Sequence, residues 1–336
     1  MRLFWGGLAA LQAELRRVGK PREVEGVLDL YLIRPAGLLI VRAVRSTFVT
    51  ANILSAMALA SGWLAAFFFF EAARSGNQAR FAVLAALALL VHSAFDSADG
   101  QLARWRGRTC EMGRLVDGVC DYLTFLAIYL GIALGLGMRQ GAHPLILVGV
   151  GLLAALSHAL QCALVEYQRN LYGHYVYGNA LPVAAPGDEA GHQGREARMP
   201  GSLLQGIHLV YLKVQESLCG SSLQLQRRVA AWRRAQPGRL SRVPAAVEQN
   251  QRRRLRVWAL LAPNSHKVGM VVAAMLPVND LSMFGTFGLL WYFLYVLVAL
   301  NGLLLILLIS QPRADRAMWA RIQDPVTTSR YATGPV

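Results

Sequence analysis

Four aspartates are spaced so that they could bind divalent metal at a single site. Asp96 and Asp99 lie three residues apart, and Asp117 and Asp121 lie four residues apart. Residues with these separations share one face of an α-helix, so each pair would project from one side of its helix. Two adjacent antiparallel helices could therefore direct all four carboxylates into one small volume. Four carboxylates in such a volume could not all stay ionised without a cation.

The residue types around the aspartates indicate which ligands the site would take. Carboxylate oxygens favour hard cations such as Mg²⁺, Mn²⁺ or Ca²⁺. Two metal ions roughly 3.5–4 Å apart, bridged by shared carboxylates, are a recurring arrangement in phosphoryl chemistry. Gly100, Gly113 and Ala103 leave room for a ligand or for the facing helix. Arg104 has a planar guanidinium group that can bind phosphate oxygens. Helix-end caps and surface charges would instead leave the acids scattered.

The helices that position these residues are predicted to lie in a membrane. The 336-residue chain is 55% hydrophobic and 16% charged, whereas a soluble domain carries about 25% charged residues. Five long stretches lack Asp, Glu, Lys and Arg, and a span needs about 20 apolar residues. These stretches are residues 46–70, 81–95, 122–138, 140–165 and 281–312. We therefore predict an all-α polytopic membrane protein with six transmembrane helices, near residues 47–71, 79–105, 113–138, 143–168, 257–277 and 282–309.

The net charge of +15 is explained by the same membrane topology. Cytoplasmic loops of membrane proteins collect Lys and Arg, and anionic lipid head groups face them. With the N-terminus inside, the outer loops hold only Arg74, Arg80 and Arg139. We therefore expect an integral protein of the cytoplasmic (inner) membrane whose active site faces the cytoplasm. No nucleic-acid partner is expected.

The spans divide the chain into five predicted segments. Residues 1–46 form a cytoplasmic segment in which residues 23–45 are an amphipathic helix on the membrane surface, bent near Pro35. Residues 47–168 carry four spans and the aspartates. Residues 169–256 are a basic cytoplasmic insertion. It consists of a flexible loop over 172–200 and a helical hairpin formed by 203–235 and 245–258. For this hairpin, docking to the membrane is favoured over binding to a partner. Residues 257–309 carry two more spans, and 310–336 form a cytoplasmic tail.

The aspartate pattern resembles the signature of the CDP-alcohol phosphotransferase family. That signature is D-x2-D-G-x2-A-R-x8-G-x3-D-x3-D, and every fixed position is present between Asp96 and Asp121. The stretch from Thr47 to Asn52 is similar to the T-x-x-T-P-N motif of the family at the start of the first span, with Ala51 in place of the proline. The resemblance covers the second and third spans firmly and the six-span plan more loosely.

The resemblance implies a role for each motif position. Asp96, Asp99 and Asp117 would be metal ligands, and Asp121 would deprotonate the acceptor hydroxyl and also touch a metal. The site would bind two Mg²⁺ or Mn²⁺ ions. The CDP moiety would be bound by residues at the small and basic motif positions and at the start of the first span, namely Gly100, Ala103, Arg104, Gly113 and Asn52. Family members are typically homodimers.

Several alternatives remain open at this point. A membrane cation transporter would also carry acids in its spans, but it would not require Gly100, Ala103, Arg104 and Gly113 at their spacings. A catalytically inactive scaffold would not require all four aspartates. Within the family, the donor is either CDP-diacylglycerol with a polar acceptor such as inositol phosphate, glycerol phosphate or serine, or a CDP-linked head group with a lipid alcohol as acceptor.

A further set of polar residues is predicted to form the acceptor side of the site. If the fifth span ends near Pro277, it begins near Val257 and places His266 and Lys267 in the inner part of the membrane. A lysine and a histidine there are costly unless they face a wet anionic cavity. Glu166 and Arg169 lie near the same level at the end of the fourth span. The alternative is that Lys267 only flanks the membrane, with the span running past Pro277.

Overall fold

The computed structural model describes residues 25–75, 78–107, 111–140, 144–178, 213–215, 217–236, 242–276 and 287–323, and almost all of these residues are helical, with no strand among them. The predicted all-α class is confirmed. Ten α-helices are described: α1 Arg34–Val44, α2 Ala51–Arg74, α3 Gln78–Trp105, α4 Glu111–Gln140, α5 Pro144–Tyr177, α6 Gly220–Ala235, α7 Arg242–Trp258, α8 Pro263–Met275, α9 Phe287–Leu294 and α10 Asn301–Gln323. Most of the predicted 172–200 loop, much of the first hairpin helix and the end of the tail lie outside the described residues.

Five helical segments among the described residues are long and apolar enough to span a membrane. They are Ala51–Arg74, Ala79–Trp105, Val116–Arg139, Leu145–Tyr177 and Gly288–Gln323, so a polytopic membrane protein is confirmed. The predicted count of six transmembrane helices is not confirmed. The predicted span at 257–277 corresponds to a short 3₁₀ turn followed by α8, whose 13 residues extend about 20 Å at 1.5 Å per residue. That length is less than the roughly 30 Å of a bilayer core.

The fourth span continues further than its sequence suggests. We predicted an end near residue 168 and a loop from residue 172, but α5 runs on to Tyr177. Leu171, Tyr172 and Tyr175 are all buried, and burial of these large side chains stabilises two further helical turns. The predicted loop over 172–177 was therefore wrong.

The described chain divides into two compact units. The first comprises Met1–Ala159 and Pro263–Asn301, and the second comprises Leu160–Ala262 and Gly302–Val336. All four motif aspartates belong to the first unit, whereas α6 and α7 belong to the second. Each unit is described separately below.

In the first unit, α2 packs closely along α3 and α4. Glycines on α4 make the approach possible: a Cβ at Gly135 would lie 2.5 Å from the Phe70 carbonyl oxygen, and a Cβ at Gly131 would lie 2.8 Å from that of Ala66. Small residues allow helix backbones in membranes to approach in this way. The contact fixes the rotation of α4 relative to α2 and thereby the direction of side chains near the start of α4.

The N-terminal helix α1 supports the helix that carries the first two aspartates. Pro35 lies in its first turn, where a missing N–H is tolerated, and a π-helical stretch from Asp29 to Ile33 precedes it. The buried face of α1 contributes Leu38 and Val41 to a cluster with Leu54, Ala98 and Leu102. The predicted amphipathic helix is thus present, and its apolar face packs on α3. Its location on the membrane surface stays a prediction.

The segment between α1 and α2 is held by one arginine side chain. The Arg106 guanidinium, just after α3, donates hydrogen bonds to four carbonyl oxygens in this segment, at 2.6 Å for Val49, 3.1 Å for Thr47 and 3.3 Å each for Val44 and Arg45. Thr50 then caps α2 by accepting a hydrogen bond from the Ile53 amide at 3.3 Å, as N-cap residues do. The start of α2 is therefore fixed relative to the end of α3.

The second unit contains a buried carboxylate with several donors. Asp315 on α10 is 4% exposed and accepts hydrogen bonds from Ser221 at 2.8 Å, Ser222 at 3.0 Å and Gln311 at 2.9 Å. Arg254 on α7 donates to Gln311 at 2.9 Å. These contacts attach the two predicted hairpin helices, α6 and α7, to α10.

Candidate active site

Three of the four motif aspartates meet in one small volume. Asp96 and Asp99 lie on the last turns of α3, and Asp117 lies on the second turn of α4. One carboxylate oxygen from each residue lies within 4.8 Å of one from each of the others. Asp99 is buried and the other two are half-buried. The juxtaposition expected from the helical spacing is therefore present for three of the four aspartates.

Asp121 lies one turn further along α4 and has a different neighbour. Its Oδ1 atom is 3.5 Å from Nε2 of His92, and it interacts electrostatically with Asp96 and Asp117. It is not part of the group of three whose oxygens converge within 4.8 Å. Asp121 is thus close enough to add to the negative charge of the cluster, while its carboxylate faces His92.

Two residues that the sequence analysis did not single out contact the carboxylates. Ser55 on α2 donates a hydrogen bond of 2.5 Å to Oδ2 of Asp99. His92, one turn before Asp96 on α3, is 1% exposed, and its Nδ1 lies 3.0 Å from the Ala58 carbonyl oxygen on α2. An ionisable side chain in an otherwise apolar span is a signal that points to His92. Ser55 carries no comparable signal, because a serine can bond to its own helix.

The predicted donor-binding residues lie on the three helices that carry the cluster and Ser55. Arg104 interacts electrostatically with Asp99 and Asp117, and a Cβ at Gly100 would lie 3.3 Å from its Nη1 atom. Any larger residue at position 100 would therefore crowd the guanidinium. Asn52 is exposed on the first turn of α2, one turn before Ser55. Ala103 lies beside Arg104 at the end of α3, and Gly113 lies in the first turn of α4.

Lys267 is a buried cation near the aspartates. It lies on α8 and is 7% exposed. Its ammonium group donates a hydrogen bond of 2.9 Å to Ser93 on α3 and lies 5.8 Å from the centre of the Phe125 ring on α4. It interacts electrostatically with Asp96 and Asp121. Lys267 therefore adds a buried positive charge beside the cluster, in addition to that of Arg104.

His266, adjacent to Lys267 in sequence, is part of an aromatic cluster. Its ring is fully buried and stacks on His158 with 3.7 Å between centroids. Its Nδ1 lies 3.0 Å from the Tyr292 hydroxyl, which lies 3.0 Å from the Tyr129 hydroxyl. The Nδ1 atom and one face of the His266 ring are thus engaged, whereas its Nε2 atom is buried with no hydrogen-bond partner among the described residues. Glu166 and Arg169 lie on the part of α5 that belongs to the second unit and are half-buried.

Comparisons with known proteins identify the domain that carries this site. The family model for CDP-alcohol phosphatidyltransferase matches residues 48–183, a range that begins just before α2 and includes α3, α4 and α5. No curated protein and no solved structure matches the chain. All four aspartates, together with Gly100, Arg104 and His92, lie within the matched range. Residues 48–183 of this chain therefore match a CDP-alcohol phosphatidyltransferase domain.

Proposed function

We propose that this chain transfers a phosphoalcohol group from a CDP-alcohol to an acceptor alcohol and releases CMP during membrane phospholipid synthesis. The observation that carries the proposal is the convergence of Asp96, Asp99 and Asp117 within 4.8 Å in a domain of that family. Like charges at this distance raise the energy of the fully ionised site unless a cation binds there. A structural role would not require such an arrangement.

The donor set of the cluster fits Mg²⁺ or Mn²⁺. Three carboxylates converge with no nitrogen or sulfur ligand among them, and hard divalent cations prefer oxygen ligands. Asp96, Asp99 and Asp117 would hold the ions, and the number of oxygens allows two, with Asp121 at the edge of the second. When bound, the metal would neutralise the pyrophosphate and the charge that develops on the departing CMP.

The residues of the chain supply orientation and proton transfer. Asp121 accepts the proton of the acceptor hydroxyl as the hydroxyl oxygen attacks the phosphorus atom that carries the alcohol. The bond from that phosphorus to the bridging oxygen breaks, and CMP leaves with the electron pair. General-base assistance of this kind is typically worth about 10²–10⁴ in rate. Arg104 binds the CDP phosphates, and Gly100, Ala103, Gly113 and Asn52 shape the donor site around them.

We assign the acceptor side of the site to Lys267. Its ammonium group is buried and fixed by Ser93, and it is close to Asp121. Lys267→Ala should raise the acceptor KM by about tenfold, on the scale of one charged hydrogen bond, with a smaller effect on the donor KM. Lys267→Arg is the matched control that keeps the charge. If the alanine variant changes only the donor KM, the assignment is wrong. His266, in the same unit, is a further candidate for this role, and the acceptor role of Glu166 and Arg169, which lie in the second unit, stays a prediction.

The substrates would include at least one lipid, and the active site would face the cytoplasm of the inner membrane. A panel of CDP-diacylglycerol and CDP-linked head groups, each with its acceptors, would identify which of the two donor classes the protein uses. Single cysteines at Ser75 and Arg234, in a background without the native cysteines, should label from opposite sides of sealed vesicles. Labelling from the same side would overturn the orientation.

A homodimer, as is typical of the family, should appear in detergent-corrected mass measurements.

The direct test of the reaction is release of CMP by purified protein in lipid nanodiscs. We expect CMP to appear with Mg²⁺ or Mn²⁺, a CDP-alcohol and its acceptor, and to stop when EDTA is in excess. Full activity in EDTA would exclude the metal-dependent mechanism. Movement of the divalent cation across a sealed vesicle membrane without CMP release would support a cation transporter instead.

A further inference from the structure

Helix α2 contributes no carboxylate to the cluster, yet it contacts Asp99 of the cluster and His92 beside it. Ser55 donates a hydrogen bond to Asp99. Three residues later, on the same face, the Ala58 carbonyl oxygen lies 3.0 Å from Nδ1 of His92. The opposite nitrogen of that ring, Nε2, lies 3.5 Å from Oδ1 of Asp121. His92 therefore bridges the backbone of α2 and a carboxylate of α4.

The chemistry of the two contacts defines how the ring is held. A carbonyl oxygen only accepts hydrogen bonds, so Nδ1 carries a proton and donates it to Ala58. Nε2 is then the one ring atom that can bond to Asp121, and a ring flip would break the bond to Ala58. Nε2 faces Oδ1 of Asp121 at 3.5 Å, an ion-pair distance without hydrogen-bond geometry in this structure, and the ring thereby limits where that carboxylate can turn. The second oxygen of Asp121 remains for the acceptor hydroxyl.

We propose that His92 is a positioning residue for Asp121, and that it fixes the direction in which this carboxylate meets the acceptor hydroxyl. The inference rests on the proposed function, in which Asp121 accepts the hydroxyl proton. A general base must lie within hydrogen-bond reach of the proton that it removes. A misplacement of 1 Å can cost about 10² in rate.

Burial of the histidine supports a functional role. The ring is 1% exposed and lies on a span, where an apolar side chain would fill the same volume without the cost of burying polar nitrogen atoms. Outer contacts of this kind commonly orient the groups at a metal centre, and their loss costs about 10–100-fold in activity or metal affinity. Because Asp121 lies outside the group of three converging carboxylates, the effect should fall on the chemical step.

Three substitutions separate the two ends of the bridge. His92→Phe fills the volume and removes both contacts. In His92→Asn the amide can reach the Ala58 carbonyl and not Asp121, whereas in His92→Gln the longer side chain can reach Asp121. We expect kcat to fall by about 10–100-fold in the Phe and Asn variants, with the KM for the CDP-alcohol within about threefold of the original. The Gln variant should recover part of that loss.

The control for the proposal is the double variant His92→Phe with Asp121→Asn. If His92 acts through Asp121, the double variant should be no slower than Asp121→Asn alone, because coupled residues are not additive. Additive losses, or an unchanged kcat in the Asn variant, would overturn the proposal. If thermal unfolding in detergent shows that His92→Phe does not fold, the proposal is tested by comparing kcat of His92→Asn with that of His92→Gln.

Mn²⁺ binding supplies a readout apart from activity. Electron paramagnetic resonance of each His92 variant should give a Mn²⁺ affinity close to that of the unaltered protein. An affinity that falls as far as kcat would show that His92 holds a metal ligand, and the proposal would be wrong. Failure of the proposed function looks different: Asp121→Asn itself would then keep its kcat.

Discussion

Two buried carboxylate sites, one in each unit, differ in what balances their charge. In the second unit, Asp315 accepts three hydrogen bonds, from Ser221, Ser222 and Gln311. In the first unit, Asp96, Asp99 and Asp117 have oxygen atoms within 4.8 Å of one another. Asp315 is stabilised by neutral donors of its own chain, whereas each of the three clustered carboxylates has the carboxylates of the other two within 4.8 Å.

The difference separates a structural carboxylate from a ligand-binding one. A buried charge that its own chain satisfies can hold helices together and requires nothing from outside. Carboxylates that converge without enough internal donors are unstable until a cation binds or protons neutralise them. The same amino acid is thus expected to respond oppositely to the same substitution in the two units. The following predictions test that contrast, in order of decreasing effect.

The largest expected effect is the loss of a carboxylate from the cluster. Asp96→Asn and Asp117→Asn should each reduce CMP release by about 10³-fold or more, the scale of removing one electrostatic stabiliser from an active site. Their thermal unfolding midpoints should stay the same or rise, because a repelling charge is lost. Asp315→Asn is the matched control and should retain activity. Equal loss in all three variants would remove the distinction between the units.

Asp121 should affect the chemical step. Asp121→Asn should lower kcat by about 10²–10⁴ while the KM for the CDP-alcohol changes little, because the three converging carboxylates remain. Steady-state kinetics at saturating acceptor will measure the two constants separately. An unchanged kcat with a raised KM would contradict the role of Asp121 as the base.

Asp315 should affect stability. Asp315→Ala would leave the donors of Ser221, Ser222 and Gln311 without their acceptor, at a cost of about 1–3 kcal/mol for each group left unsatisfied in the interior. We expect a lower thermal unfolding midpoint in detergent and a kcat close to the original in the folded fraction. Asp315→Asn keeps an acceptor oxygen and should be less destabilised. If Asp315→Ala is as stable as the original, the structural role is refuted.

Ser55 should give the smallest effect, on metal affinity. Ser55→Ala removes the hydrogen bond to Asp99 and should weaken Mn²⁺ binding by about 10–100-fold, with activity restored at high Mn²⁺ concentration. Ser61→Ala on the same helix is a suitable control, because the Ser61 hydroxyl bonds to the carbonyl oxygen of Met57. Activity that stays low at every Mn²⁺ concentration would assign Ser55 to the chemical step instead.

Helix geometry was sufficient to predict from the sequence that carboxylates of α3 and α4 converge, and three of the four predicted ones do so, whereas Asp121 faces His92. Separations of three and four residues place each pair of aspartates on one helix face, and a short connection makes the two helices neighbours. The contacts of Ser55 and His92 could not be predicted in the same way. They depend on how α2 packs against α3, and no local sequence pattern encodes that packing.

Helix ends were also difficult to predict, for a related reason. The charged and polar residues after Val165 favour an early end to α5, but burial of Leu171, Tyr172 and Tyr175 extends it to Tyr177. The predicted span at 257–277 combined residues that the structure divides between α7, a 3₁₀ turn and α8. Pro263 starts a new helix after this turn. Tertiary burial and a single proline thus outweighed the average hydrophobicity of the segment.

The central claim is that the carboxylate cluster of the first unit is the metal site. The most direct test uses electron paramagnetic resonance to measure Mn²⁺ binding to the purified Asp117→Asn and Asp315→Asn proteins. Both variants replace a carboxylate with an amide, one in the cluster and one in the second unit. We predict that Asp315→Asn binds Mn²⁺ as the original protein does and that Asp117→Asn loses this binding. Equal Mn²⁺ affinity in the two variants would contradict the account, because the cluster would then not be the metal site.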